Sequence, residues 1–73
     1  MNNLTEILAR GFKQYNSDRV EYFNNMQLCK VERSFENANN KQLLFATWNN
    51  GKLISYSVYK VDSNYQRTLI EHN

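Results

Sequence analysis

Asn50-Gly51, lying between two alternating runs of apolar and polar residues, is the feature that most limits how this chain can fold. A tight two-residue hairpin turn needs positive φ at both central positions, and Asn-Gly is the pair that adopts it most readily. Gln42 to Trp48 and Lys52 to Val61 then read as the two arms. A two-residue loop pairs Asn49 with Lys52. Continued regularly, it sets Thr47 opposite Ile54, Phe45 opposite Tyr56 and Leu43 opposite Val58 on one bulky face. Leu44, Ala46, Trp48, Leu53, Ser55, Ser57 and Tyr59 then lie on the other. A three-residue loop with Gly51 left-handed would instead bring Leu44 and Ala46 to the side of Ile54, Tyr56 and Val58. The first register is preferred because it gathers the larger side chains opposite one another.

The flanking segments extend this hairpin. Residues 3–16 carry Leu4, Ile7, Leu8, Gly11, Phe12 and Tyr15 at the spacing of one helical face. Asn3 and Glu6 resemble a capping box, and Glu6 and Arg10 fall at the i, i+4 spacing of an ion pair. Residues 18–26 admit a short helix, opened by Asp18 and Glu21, or a short strand through Val20 and Tyr22; the helical alternative is preferred. From Leu28 the period is two. Cys29, Val31 and Phe35 point to one side and Lys30, Glu32, Ser34 and Glu36 to the other, with Arg33 interrupting the apolar side. Asn37 to Lys41 and Asp62-Ser63-Asn64 read as turns, Tyr65 to Ile70 as an edge strand, and His72-Asn73 as frayed. The expected fold is α+β: an N-terminal amphipathic helix packed on a three- or four-stranded antiparallel meander, with residues 1–73 as a single small domain. No motif ties the sequence to a family.

Length and composition then restrict function. A chain of 73 residues buries only about 60% of its unfolded surface, so its core is small. One Cys and one His cannot form an internal disulfide or a four-ligand zinc site. No cofactor is expected. Asp62-Ser63-Asn64 begins like a calcium loop but lacks the Gly and terminal Glu that must follow. Only two glycines are present, too few for a phosphate-cradling loop. Cys29 with His72 is the only thiol–imidazole combination, and Glu32 with Glu36 the nearest approach to a carboxylate pair; both read better as ordinary strand and terminal residues, which argues against an enzyme. No run of 18 apolar residues is present, so no membrane partner is expected. A free thiol and the lack of a basic, apolar leader suggest the cytoplasm.

What remains is binding. Ten aromatic residues are a heavy load for this length, and aromatics serve both cores and interfaces. If the helix covers one sheet face, the other shows Leu44, Trp48, Leu53 and Tyr59, rimmed by Lys52 and Lys60, with Ile70 a further candidate. That composition suits the centre of a protein interface. The expected function is therefore a small non-enzymatic regulator that occludes a surface of a larger protein. High Asn, Lys, Tyr and Phe without Pro suggests an AT-rich source, such as a phage or mobile element. Edge-strand pairing into a homodimer is a second route. The competing expectation is sequence-tolerant nucleic-acid binding through Lys52, Lys60, Arg67, Tyr59 and Tyr65. A net charge of +2 is too small to imply it by itself.

Overall fold

The computed structural model describes residues 4–22 and 29–73. These form one helix, α1 (Leu4–Leu8), and six strands: β1 (Lys13–Gln14), β2 (Arg19–Tyr22), β3 (Cys29–Asn37), β4 (Gln42–Asn49), β5 (Lys52–Val61) and β6 (Arg67–His72). All six strands belong to one antiparallel sheet in the order β1-β3-β4-β5-β6, with β2 also paired to β3 along the same edge as β1. The molecule is sheet-rich, and the expected long helix is corrected to a single short one.

Gly11 is the physical reason. Its φ is +114°, a conformation closed to a helix interior. The amides of Gly11 and Phe12 both donate to the Leu8 carbonyl, which closes the last turn. The chain then reverses into β1. Leu4, Ile7, Leu8 and Phe12 still reach the core, as their helical spacing suggests, whereas Tyr15 lies exposed beyond the turn. Arg10 pairs with Glu71 at the far edge of the sheet. A helix this short is not stable alone, so Ile7, fully buried, is what docks it.

Residues 19–22 are a strand rather than the helical turn expected for 18–26. Arg19 faces Glu32, Val20 faces Val31, Glu21 faces Lys30 and Tyr22 faces Cys29. The proposed cap at Asn3 and the segment through Phe23, Met26 and Leu28 lie outside the described residues. Strands β1 and β2 act as one edge strand broken at residues 15–18, where four residues pass the two positions Arg33 and Ser34. The break presents Asp18 to Arg33. The guanidinium donates from Nε to Oδ1 at 2.9 Å and from Nη2 to Oδ2 at 2.7 Å. Gln14 adds a donor to Oδ1 at 2.7 Å. Arg33 also lies over the Trp48 ring, 5.1 Å from its centroid. An arginine on the apolar side of β3 is thus accommodated by a carboxylate from the neighbouring edge and a ring beneath it.

The β4–β5 hairpin combines the two registers considered above. Asn50 and Gly51 both have positive φ, and Asn49 pairs with Lys52 and Trp48 with Leu53. A bulge then leaves Ile54 unpaired, and beyond it Thr47 faces Ser55, Ala46 faces Tyr56 and Leu44 faces Val58. The expected pairing of Phe45 with Tyr56 and Leu43 with Val58 is therefore corrected. One extra residue exchanges the faces of one strand relative to the other. The face that results is better filled. Leu44, Ala46 and Val58 are fully buried, with Phe35, Tyr56, Ile7 and Phe12 around them.

Asn37 closes one end of this core. It is only 2% exposed. Its Nδ2 donates to the Arg10 carbonyl at 3.1 Å, and its Oδ1 accepts from the Asn40 amide at 3.3 Å. One side chain thereby ties the α1–β1 turn to the β3–β4 turn. At the other end Asn73 is held rather than frayed. Its amide donates to the Tyr56 carbonyl, its Oδ1 accepts from the Tyr56 amide at 2.8 Å, and its Nδ2 donates to Ile54 O. The side-chain amide continues the β5–β6 ladder toward the bulge.

Candidate protein-interaction face

Pairing fixes which side chains share each face. The helix side carries Val31, Arg33, Phe35, Leu44, Ala46, Trp48, Leu53, Tyr56 and Val58. The opposite, open side carries Leu43, Phe45 and Thr47 from β4, Ser57, Tyr59 and Val61 from β5, and Arg67 and Leu69 from β6. Among the described residues no helix or strand lies over it.

The centre of the open side is aromatic. Phe45 and Tyr59 meet edge to face, with ring centroids 5.8 Å apart. Arg67 lies over Phe45 with its guanidinium carbon 5.3 Å from the ring centroid. Leu43 and Val61 flank the pair toward one end, and Leu69, 49% exposed, extends it toward the β6 edge. Two recesses of about 430 Å³ each open beside this centre. One lies between the β3–β4 and β5–β6 turns, over Leu43 and Val61. The other lies between the broken edge strand at Asn16-Ser17 and Phe45.

Charge on the β1–β2–β3 half of this side is arranged in facing pairs, whereas Lys52 and Arg67 on the other half face Asn49 and Val61. Lys13 is opposite Glu36, Arg19 opposite Glu32, and Glu21 opposite Lys30. Lys30 and Glu32 also approach along their own strand, at 3.5 Å. Opposite charges facing one another across neighbouring strands favour this register. They also leave the β1–β2–β3 half of the face with little net charge.

The residues expected to form the interface are therefore divided. Leu44 is core. Trp48 and Leu53 pack half-buried on the helix side. Lys60 pairs with Gln42 on that same side. Of the five, Tyr59 alone lies on the open side. Phe45 and Arg67 are the partners it has there, and the alternative hairpin register was the signal that would have found Phe45. Ile70 is the residue passed over by the β5–β6 bulge and is 42% exposed.

Of the residues expected for nucleic acid, Lys52, Tyr59 and Arg67 share the open side and Lys60 lies on the helix side. Lys52 and Arg67 lie at opposite ends of β5, separated along the strand by several residues of about 3.3 Å each. Lys60 is on the other face from Tyr59. Tyr65 stands at the β5–β6 turn with φ +62° and 87% of its surface exposed. Asp62 shapes that turn, its Oδ1 accepting from the amides of Asn64 and Gln66. Cys29 and His72 lie on β3 and β6, with two strands between them, about 14 Å at ordinary strand spacing. Glu32 and Glu36 share the open face, each opposite a cation. No group of three or more potential metal ligands occurs among the described residues, and no described helix is long and apolar enough to cross a membrane.

Comparison with protein-family models, with curated proteins and with solved structures gives no match. Functional inference therefore starts from the open face itself.

Proposed function

We propose that the chain is a protein-binding module, non-enzymatic, that acts by covering a surface of another protein with the open side of its sheet. The observation that carries this is the Phe45–Tyr59–Arg67 cluster at the centre of that side. Tyr, Phe and Arg are the residue types enriched at interface centres, and binding energy concentrates in such clusters when a rim excludes water around them. Here the rim is the facing charge pairs of β1, β2 and β3. Both sheet edges favour the face over strand addition. One edge is broken at residues 15–18 and the other carries a bulge at Ile70, and such irregularities interrupt the ladder a new strand would need.

The test is affinity capture from a nuclease-treated lysate with wild type, Phe45→Ser, Leu69→Lys and Trp48→Ala, each first checked for an intact unfolding transition. Capture should survive nuclease, fall at least about tenfold for Phe45→Ser and Leu69→Lys, and persist for folded Trp48→Ala. Loss with Trp48→Ala alone would move the interface to the helix side. Loss of all captured protein on nuclease treatment would support nucleic-acid binding instead.

A further inference from the structure

We infer that one partner for the open face is a second copy of this chain, packed face to face about a two-fold axis with Tyr65 of each copy seated in the other's recess beside Phe45. This rests on the reading of the open face as the interaction surface, and it specifies the partner. Three observations select a second copy.

The first is charge. A surface shaped for a strongly charged partner presents one sign, and like signs would repel an identical copy. Here Lys13, Arg19 and Lys30 are each opposite an acid of the same chain, so the β1–β2–β3 half of the face carries no net charge, while the cations Lys52 and Arg67 lie on the other half. The second is relief. An isologous contact requires projection and recess on the same face of one chain. Tyr65, 87% exposed, stands at the rim of the recess over Leu43 and Val61, and the recess between Asn16-Ser17 and Phe45 opens farther along the same side. The third is size. Small chains commonly gain stability from a disulfide, a metal or association. Association is one such device, and what it needs is a face of sufficient area. A stable interface takes roughly 800 Å² from each partner. A molecule measuring 43 × 28 × 18 Å offers a broad side of that size.

Sedimentation equilibrium of wild type, Tyr65→Asn and Leu69→Lys tests this directly. Wild type should pass from 8.7 kDa to twice that mass with concentration, with a Kd on the order of 10 µM. Tyr65→Asn should weaken the dimer at least about tenfold without lowering the unfolding midpoint, because Asn accepts positive φ more readily than Tyr. Leu69→Lys should do the same by placing like charges at the contact. A wild type that stays monomeric to about 1 mM overturns the inference. So does a dimer that neither variant weakens. Capture separates the two claims. If wild type is monomeric yet Leu69→Lys loses its captured partner, self-association falls and the face remains the binding surface. If both variants dimerise and capture like wild type, both claims fall.

Discussion

Asn37 shows how much one polar side chain can hold in a core this small. It links two turns through a donor and an acceptor, and both its partners are backbone groups. Asn37→Leu removes both hydrogen bonds and leaves the Arg10 carbonyl and the Asn40 amide without that partner. The expected cost is about 1–3 kcal/mol by urea unfolding. An unchanged midpoint would mean that water replaces both bonds. Asp18 gives a prediction in pH. The hydrogen bonds from Arg33 hold its carboxyl below the ordinary carboxylate range, Gln14 adds to this, and partial burial opposes it. A carboxyl lowered in the folded state stabilises at neutral pH, and that contribution is lost as pH falls below about 4. Asp18→Asn should therefore be less stable than wild type at pH 7 and approach it at pH 2. Parallel profiles would show that the pair contributes nothing to folding. Tyr65 is the opposite case, a residue whose backbone conformation disfavours it. Tyr65→Asn should raise stability by about 1 kcal/mol in dilute, monomeric protein, and a fall would place the ring in a stabilising contact.

At the scale of elements, β3 to β6 are readable in the sequence, whereas the extent of the helix and the strands β1 and β2 are not. Alternation in β3, β4 and β5 is unambiguous in the sequence, and so is the Asn50-Gly51 turn. The helix was overestimated because Leu4, Ile7, Leu8 and Phe12 do share a face, and their periodicity continues through Gly11 to Tyr15. The positive φ of Gly11 overrides that pattern. In the sequence Gly11 falls on the helical face, and a terminator is the better reading of it. Residues 19–22 are strand because they complete an edge that Lys13–Gln14 begins, a long-range pairing that local propensity does not report. Leu44, Trp48 and Leu53 do not share a face with Tyr59 as expected, for a single reason, the bulge at Ile54. A one-residue slip transfers a whole strand to the other face, so Leu44 moved into the core and Phe45 out of it. The same logic predicts that deleting Ile54 yields a regular hairpin with every other side chain on its present face. The variant should fold, with a circular dichroism spectrum like that of wild type. Deleting Ser57 instead should unfold the chain, since Tyr56 and Val58 could no longer share a side. A folded Ser57 deletion would show that register is less tightly specified than the core implies.

For the molecule as a whole, the division of labour between faces is the main result. One face uses most of the fully buried side chains to dock a five-residue helix, with Trp48 and Leu53 half-buried and Val20 43% exposed beside them. The other keeps an aromatic pair, an arginine and two recesses, bordered on its β1–β2–β3 half by charges that face each other in pairs. The proposed function rests on which side each strand presents, and the strands are clearer in the sequence than their sides. Hydroxyl-radical footprinting of the free chain and of the proposed assembly tests this division most directly. Phe45, Tyr59 and Leu69 should lose reactivity on assembly while Trp48 and Leu53 keep theirs. Protection of Trp48 and Leu53 with Tyr59 unchanged would contradict the account and place the interface on the helix side.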